Sequence, residues 1–408
     1  MAGCLSHVRV LDLSRVFAGP FAGQMLADFG ADVIKIEHPV HGDDVRRMGI
    51  AHKDRQGRDT DQTAPYLAAN RGKRSIGIDI SKAAGQTLVK KLAGSCDVLI
   101  ENYKTGNLAR YGLDYPALRT INPRLVYCSI TGFGQSGPYS ELPGYDPIFQ
   151  AMSGVMSVTG VPEGQPGAGA SLVGYSVSDM TAGCYAAIAI LAALNHRDRV
   201  SGRGQHIDLA LLDSQVHAAS HIAMNYLVSG RMPVRAGTSS QTICPWQAFD
   251  CADMPLMLAV GTDQQFARLC ETMGLPGLAT DPRFLTNRKR MENKPALIPV
   301  LAERFKTRTA RQWMDAFAAV GVASGPINDF GQVFADPQVK HREMLREIPH
   351  PLSGTLRIIA NPVRFSDTPV EYGRWPPLLG EHTTEVLREM LTMGEEEIEA
   401  LRRDKVIS

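Results

Sequence analysis

The chain has 408 residues, of which 44% are hydrophobic and 21% are charged, so it can form one large or two medium domains without a stabilising metal or disulfide. Lys and Arg total 43 against 42 Asp and Glu, which leaves a formal charge of +1. This balance excludes a protein whose main task is to hold a nucleic acid, because such proteins carry a clustered basic excess.

The first 130 residues alternate strand and helix signals. Short apolar runs predict strands at residues 8–13, 33–36, 75–80, 98–100 and 125–130. Between them, one helix is predicted over residues 22–29, ending at Gly30, and another over residues 83–92. Strands that alternate with helices indicate right-handed βαβ units and a mostly parallel sheet.

The middle of the chain changes character. Residues 132–174 are rich in Gly, Pro and Ser, which predicts a long irregular segment of the kind that usually serves function. An Ala-, Ile- and Leu-rich helix follows over residues 180–195, with Ser178 or Asp179 as its N-cap. A further strand is predicted at 206–211.

The remainder of the chain predicts a smaller second domain and a return to strands. Polar helices fill residues 230–330, and Thr309 with Gln312 forms a capping box that opens one of them. Short strands near 356–359 and one amphipathic helix after Gly380 complete the chain.

Cysteine usage indicates a reducing compartment. The seven cysteines are widely spaced and form no C-x-x-C pair, which favours free thiols over a disulfide framework or a zinc site. The N-terminus lacks the layout of a signal peptide. The most apolar stretch, residues 184–194, is too short to cross about 30 Å of hydrocarbon. We therefore expect a cytoplasmic protein with no membrane partner and no metal.

Three motifs leave their interpretation open. The segment GPFAG after the first strand is not G-x-G-x-x-G, so a dinucleotide fingerprint is missing. Asp179 is either an ordinary helix cap or an ionised carboxylate, held by the helix N-terminus, that acts as a nucleophile toward an activated acyl group. Two basic clusters either pair with phosphates or lie solvated in loops: Arg46 and Arg47, and Arg71, Lys73 and Arg74.

Longer segments resemble the class III CoA-transferases across nearly the whole chain. They are VRVLDLSRVFAGPFAGQMLADFGADVIKIEHP, NRGKRSIGIDI, VLIENY, YGLDY, NPRLVYCSITGFGQSGPY, GYD, SDMTAGCYAAIAILAAL and GRGQHIDLALLDS. Within that family, the middle and end of the chain are most similar to the succinyl-CoA:glutarate branch. The segments that carry this similarity are SQVHAASHIAMNYL, PWQAF, GTDQQFA, GPINDFGQVFADPQV and PPLLGEHTTEVL.

The resemblance implies an α/β fold. A large Rossmann-like domain would be made from both chain ends, with a small α+β domain inserted, and two subunits would interlock as a homodimer. We accordingly expect the large domain over residues 1–225, the small domain over 226–335 and a return to the large domain over 336–408.

The resemblance also implies the chemistry. The family's nucleophile is the aspartate that opens the helix after the Gly-rich loop, which is Asp179 here. It would move CoA from an acyl-CoA, with succinyl-CoA the expected donor, to a short dicarboxylate such as glutarate. An aspartyl anhydride and an aspartyl-CoA thioester would be intermediates. CoA and acyl-CoA would be substrates, with no tightly bound cofactor.

The family's CoA contacts carry over to a set of residues near the strand ends. They are Arg15, Val16, Phe17, Ala18, His38, Ile78, Asp79, Ile80, Ser81, Asn102, Tyr103, Arg110, Gly144 and Tyr145. The formyl-CoA branch has an arginine where this chain has His38, so Arg46, Arg47, Arg71 or Lys73 is expected to substitute. That branch also has a glycine run in its small domain. Residues 236–243 lack this run, which disfavours oxalate–formyl chemistry.

Two alternatives and one assignment stay open. The 2-methylacyl-CoA racemases share the fold but place a histidine in a G-H-D motif, which reads Gly144-Tyr145-Asp146 here. A tyrosine with an ordinary pKa near 10 is a poor acid/base at neutral pH. A CoA-binding protein without activity is the other alternative. The free carboxylate of a diacid needs a cation, and Arg15, His221 and Arg235 are candidates that the sequence does not separate.

Overall fold

The structure is a computed structural model that describes residues 3–408. Contacts between residues divide it into two compact units. The first unit comprises the described chain up to Val155, Val173–His221 and Gln338–Ser408, and the second comprises Met156–Leu172 and Ile222–Pro337. The domain limits at 225 and 335 stay a prediction. The second unit also contains Met156–Leu172, which that prediction assigned to the first segment.

The N-terminal elements follow the alternation that the sequence predicts. The strands are β1 Arg9–Asp12, β2 Asp32–Glu37, β3 Ala51–Lys53, β4 Asp59–Thr63, β5 Arg74–Gly77, β6 Val98–Glu101 and β7 Val126–Thr131. The helices are α1 Ala18–Asp28, α2 Ala64–Ala69, α3 Ala83–Gly94 and α4 Tyr115–Ile121. The hairpin β3–β4 and helices α2 and α4 are additional to the predicted elements. Helix α1 begins four residues before the predicted start, at Ala18, because Gly19 and Pro20 enter its first turn.

The Gly-rich middle segment is better ordered than its composition predicts. It contains α5 Asp146–Met152, α6 Val155–Val158, β8 Gly160–Val161 and β9 Gly169–Ala170. The next elements are α7 Val177–His196, β10 His206–Ala210, α8 Leu211–Ala218 and α9 Ser220–Ser229. The N-cap of α7 is Ser176, so the prediction that Ser178 or Asp179 caps this helix is wrong. Asp179 lies instead in its first turn.

Six strands form the central sheet in the order β10-β7-β6-β1-β2-β5, and every pairing is parallel. Alternate strand residues enter two hydrophobic clusters, with Leu11 and Leu99 in one and Val10 and Val98 in the other. Both faces are therefore covered, as a parallel sheet requires. The chain leaves β1 toward β2 on one side and returns with β6 on the other. Ligands of open α/β sheets bind at such a point, outside the carboxyl ends of the strands.

Helix α7 continues as a π turn through Ser201, and together they span 25 residues. By length and composition alone this helix could cross a membrane, so the prediction that the apolar stretch is too short is wrong. The core helix of a soluble protein passes the same test. Helix α7 packs here against α1, α5, α8 and β7.

The second unit has a small antiparallel sheet covered by helices. Its strands are β11 Trp246–Asp250, β12 Pro255–Ala259 and β13 Ala323–Pro326, in the order β11-β12-β13. Its helices are α10 Asp263–Thr272, α11 Pro276–Thr280, α12 Asn287–Glu292, α13 Lys294–Phe305, α14 Ala310–Ala318 and α15 Phe330–Ala335. The capping box of Thr309 and Gln312 at α14 is confirmed, and Trp313 and Phe317 of that helix are buried.

The C-terminal segment returns to the first unit. It contains α16 Pro337–His341, β14 Leu345–His350, β15 Gly354–Ile359, α17 Thr383–Leu391 and α18 Glu395–Arg403. The prediction of a single helix after Gly380 is wrong: Thr392, in the left-handed conformation, ends α17, and Gly394 caps α18. Ile407 then forms a β-bridge with Ile78, next to β5. All seven cysteines are free, and four of them are buried.

Helices α1 and α7 approach closely at Gly183. A Cβ atom there would lie 2.9 Å from the Ala18 carbonyl oxygen and 3.0 Å from Phe21 Cδ1. We expect Gly183→Ala to destabilise the protein by about 1–3 kcal/mol, because a backbone atom must move. Gly94→Ala in α3 is the control, since its Cβ would only make an ordinary 3.6 Å contact with Ile121. We expect Gly94→Ala to raise the free energy of unfolding by about 0.5 kcal/mol. Thermal unfolding measures both, and an unchanged midpoint for Gly183→Ala contradicts the prediction.

Candidate active site at the carboxyl ends of the strands

The loop between β1 and α1 is held in a strained conformation. Val16 has φ +66°, which a β-branched residue rarely adopts. Its N–H donates to Asp43 Oδ1 at 3.0 Å. Asn102, just after β6, accepts from the Arg15 N–H at 2.8 Å and donates to the Arg15 carbonyl at 2.7 Å. Such strain persists only where surrounding groups over-determine it, and it clusters at functional sites.

Buried ion pairs support this loop from inside the sheet. Lys35 pairs with Asp43 at 2.8 Å and donates to the Ser14 carbonyl at 2.8 Å, and Lys73 pairs with Asp12 at 2.8 Å. All four charged side chains are fully buried. Burial alone would raise the pKa of Asp12, but Lys73 and Lys35 hold it below its usual value. The pairs are therefore ionised and fix the loop rather than bind a ligand.

A pocket of about 290 Å³ opens at the carboxyl ends of β1, β6 and β7. Its walls include nine of the residues that the sequence assigns to the site: Arg15, Val16, Phe17, Ala18, Asn102, Tyr103, Gly144, Tyr145 and Asp179. We call it the aspartate pocket.

A second pocket of about 300 Å³ lies beside it and shares Arg15 and Tyr103 with the aspartate pocket. The other assigned residues line it: His38, Ile78, Asp79, Ile80, Ser81 and Arg110. We call it the His38 pocket. Every residue that the sequence assigns to the site thus lines one of two adjoining pockets.

Asp179 presents a half-buried carboxyl to the aspartate pocket. Desolvation, and after it the negative charge of Asp146, together raise its pKa to about 7. Within residues 3–408, no group donates a hydrogen bond to this carboxylate. The expectation that the helix N-terminus holds Asp179 ionised is thus wrong, because desolvation and Asp146 favour the protonated form of its carboxyl.

Asp146 explains why the helix does not stabilise Asp179. Its Oδ2 accepts hydrogen bonds from the backbone N–H of Ser178 at 2.7 Å and of Asp179 at 3.2 Å, and its Oδ1 accepts from Gln150 at 2.5 Å. The N–H groups that open α7 are thereby taken up by Asp146. Asp146 belongs to the Gly144-Tyr145-Asp146 motif, but the sequence does not indicate this role, since the contact crosses 32 residues. Lys104, which also lines the aspartate pocket, was missed too.

The cations proposed to replace an arginine at position 38 are mostly unavailable. Arg46 pairs with Glu37 at 2.7 Å, Arg71 with Asp28 at 2.6 Å and Lys73 with Asp12, and all three are buried. The prediction that they bind phosphates is therefore wrong. Arg47 is exposed, but its nearest carboxylate is Asp44 at 3.5 Å and it lines neither pocket.

Arg110 and His38 remain at the His38 pocket as groups for an anion. No cluster of three or more His, Cys, Asp or Glu suited to a metal occurs between residues 3 and 408. The site thus combines one carboxylate of raised basicity, a strained backbone loop and a few cations. That set suits the capture of an acyl group by a carboxylate nucleophile.

Comparison with known proteins matches this geometry to one family. The model of CoA-transferase family III matches residues 5–383. The succinate–glutarate CoA-transferase of Agrobacterium fabrum is 46% identical over 389 residues, which cover 95% of this chain and 96% of the relative. The succinyl-CoA:glutarate CoA-transferase of Homo sapiens is 42% identical and covers 95% of this chain and 86% of the relative.

A solved structure agrees with these relatives. The crystal structure of a CAIB/BAIF family protein from Brucella suis superimposes with a TM-score of 0.83 at 42% identity, over 96% of this chain and all of that one. The mixed α/β fold with its parallel sheet is thereby confirmed. With the family model covering most of its length, this chain belongs to CoA-transferase family III.

Proposed function

We propose that this protein transfers CoA from succinyl-CoA to glutarate or a similarly short dicarboxylate, as the names of its relatives describe for them. The observation that carries the proposal is the Asp179 carboxyl, which lines the aspartate pocket and whose pKa is raised to about 7. Desolvation and a neighbouring like charge make this carboxylate more basic, and therefore more nucleophilic, than an exposed one.

The two adjoining pockets suit the two ends of an acyl-CoA. The His38 pocket would hold the adenosine end beside Ile78–Ser81, with Arg110 near its phosphates. The chain of CoA would then pass Tyr103, which lines both pockets. The thioester would reach Asp179 in the aspartate pocket. CoA enters and leaves as a substrate, and we propose no tightly bound cofactor.

The reaction would proceed by acyl exchange on Asp179. Its carboxylate attacks the thioester carbonyl, which forms a mixed anhydride and expels the CoA thiolate. The thiolate attacks the aspartyl carbonyl, which gives an aspartyl-CoA thioester and releases the donor acid. The acceptor carboxylate attacks this thioester, which forms a second anhydride and frees the thiolate again. Attack of the thiolate on the acceptor acyl carbon then gives the new acyl-CoA and restores Asp179.

The titration of Asp179 near neutrality suits its role as the nucleophile. A nucleophile gains reactivity with basicity but must be deprotonated, so a pKa near the working pH balances the two requirements. The backbone N–H groups of the first turn of α1, which follows the strained loop, would stabilise the oxyanion of each tetrahedral intermediate.

We further propose an interlocked homodimer in the cytoplasm. The large number of apolar side chains exposed on α9 and the segment after it supports an assembly, because soluble monomers seldom leave such patches open. Met224, Leu227, Val228, Met232 and Val234 form this patch. Free thiols on all seven cysteines support a reducing compartment.

The activity is tested by incubating the protein with succinyl-CoA and a panel of carboxylic acids without ATP. We expect glutaryl-CoA, and hydroxylamine should trap the enzyme-bound acyl group. Asp179→Ala should lower the rate by at least about 10⁴-fold while CoA still binds.

Asp213→Ala is the control, because Asp213 is an exposed carboxylate in the first turn of the neighbouring helix α8. An absence of any new acyl-CoA across the panel rejects the proposal, and exchange of the α-deuterium of a 2-methylacyl-CoA would instead indicate a racemase.

The pH dependence of kcat/KM for the acyl-CoA tests the assignment of the titrating group. We expect activity to fall as pH drops through about 7, where Asp179 gains its proton. Asp146→Asn removes the neighbouring negative charge, so the acid limb should move to lower pH. Asp208→Asn is the control, since its carboxylate also accepts a backbone N–H, from Gln135 at 3.1 Å, outside both pockets. If activity falls at the same acidic pH in both variants as in the wild type, Asp146 does not act on Asp179.

The ionised carboxyl of Asp179 should also lower the free energy of unfolding. Its folded-state pKa of about 7 exceeds its usual value of 3.8, so the folded protein binds this proton more tightly than the unfolded chain. Stability is then lost as pH rises from about 4 through 7, by at most about 4 kcal/mol. Asp179→Asn should therefore unfold at a higher temperature than the wild type at pH 8, with a smaller difference at pH 5. Asp213→Asn should show no such widening, and an equal gap at both pH values contradicts the prediction.

A further inference from the structure

Two cationic side chains line the aspartate pocket among the described residues, Arg15 and Lys104. The buried cations behind the pocket already have carboxylate partners, since Lys35 is paired with Asp43 and Lys73 with Asp12. An acid with a second carboxylate would therefore have to find its counter-charge at Arg15 or Lys104.

The Arg15 guanidinium has unused donors. Its Nε is buried and finds no hydrogen-bond partner within residues 3–408. Its nearest carboxylate is Asp44, with Nη1 3.6 Å from Oδ2, which is too long for a hydrogen bond. Asp44 is exposed and is also approached by Arg47 at 3.5 Å. A buried donor without a partner needs an explanation, and a ligand carboxylate would supply one.

The side chain of Arg15 is also held in place. Its guanidinium carbon lies 4.5 Å above the centroid of the Tyr103 ring. Its backbone is fixed on both sides by Asn102, and the next residue is the strained Val16, whose N–H is bound by Asp43. A guanidinium that is already oriented loses little entropy when it binds a carboxylate through two parallel hydrogen bonds.

We propose that Arg15 binds the distal carboxylate of the diacid, and so sets the preference for dicarboxylates. This inference rests on the proposed function. In that reaction the donor acyl group and the acceptor acid occupy the same position beside Asp179 in turn. Succinyl and glutaryl groups each carry one free carboxylate, so a single cation serves both halves of the exchange.

The structure separates Arg15 from the other two candidates that the sequence left open. Arg235 is paired with Glu163 and donates to the Val161 carbonyl at 3.1 Å, within the second unit. His221 lies on α9 and lines neither pocket. Arg15 alone of the three lines the pocket that contains Asp179.

The experiment compares glutarate with pentanoate, a monoacid of the same length, as acceptors. The ratio of their kcat/KM values isolates the distal carboxylate, because kcat/KM for the acceptor reports only the second half of a ping-pong reaction. Arg15→Gln should lower kcat/KM for glutarate by about 10- to 100-fold, mostly through KM. The value for pentanoate and the affinity for free CoA should change less than about threefold. Arg15→Lys should recover part of the loss, since it keeps the charge but not the paired hydrogen bonds.

Two further variants serve as comparisons. Arg119→Gln is the matched control, because Arg119 is exposed and also stands over a tyrosine ring, that of Tyr115, outside both pockets. It should leave the acceptor ratio unchanged. Lys104→Gln should retain the preference for glutarate. Loss of that preference in Lys104→Gln but not in Arg15→Gln would assign the role to Lys104 and overturn the inference.

A binding measurement separates this inference from the proposed function. Glutarate, but not pentanoate, should raise the thermal midpoint of the CoA-loaded wild type and fail to do so with Arg15→Gln. If the wild type transfers CoA and Arg15→Gln keeps the acceptor ratio, only the inference is overturned. The inference alone is also overturned if Arg15→Gln lowers only the affinity for CoA, since Arg15 is then a CoA contact. If glutarate binds through Arg15 without any transfer, the proposed function fails and the inference stands. A wild type that shows neither transfer nor glutarate-dependent stabilisation overturns both.

Discussion

The hydrogen bonds from the first turn of α7 to the Asp146 carboxylate determine the electrostatics of the site. A helix N-terminus normally favours a nearby anion by exposing N–H groups to it. Here Asp146 takes the N–H groups of Ser178 and Asp179, so the favourable interaction goes to the neighbour. Asp179 retains the burial and the like charge without the compensating donors, and its pKa rises to about 7. The N-terminus of α7 thus lies beside two carboxylates with different roles: Asp146, on α5, is structural, and Asp179, on α7, is reactive.

A second set of buried charges holds the loop between β1 and α1, which lines the pocket. Lys35 and Lys73 are fully buried, and burying a charge is costly unless it is paired. Their partners Asp43 and Asp12 meet that requirement, and Asp43 additionally binds the N–H of Val16 in its unfavourable conformation. The ion pairs thus hold a loop that would otherwise relax. Because α1 begins directly after this loop, its position relative to α7 depends on the same contacts.

Local patterns and resemblance predicted different parts of this molecule. Periodic apolar runs predicted β1, β2, β5, β6 and β7, because a parallel sheet buried on both faces leaves a strong signal in the sequence. The order of the strands and the pairing of Lys73 with Asp12 depend on tertiary contacts that no local pattern records. Composition made residues 132–174 look irregular, although α5 orders part of it through Asp146.

The site residues show the same division. Spacing alone left Asp179 between an ordinary cap and a nucleophile, and the resemblance decided between them. Neither predicted that its pKa would rise, because the contact with Asp146 joins two segments 33 residues apart. The cations Arg46, Arg71 and Lys73 were misjudged for a related reason. A basic residue in a sequence gives no sign of whether a buried carboxylate already neutralises it.

Because the substrates are anions, repulsion between negative charges is the main obstacle to binding in the aspartate pocket. Asp44, Asp146 and Asp179 line it against Arg15 and Lys104, so the pocket holds more acidic than basic side chains before a substrate enters. In the first step the succinyl group brings its free carboxylate toward the Asp179 carboxylate. Partial protonation of Asp179 near neutrality lowers that repulsion, and a guanidinium with free donors offsets the remainder for the distal group. The raised pKa of Asp179 and the unpaired Nε of Arg15 thus have the same effect: each reduces the repulsion when an anionic substrate approaches an anionic nucleophile.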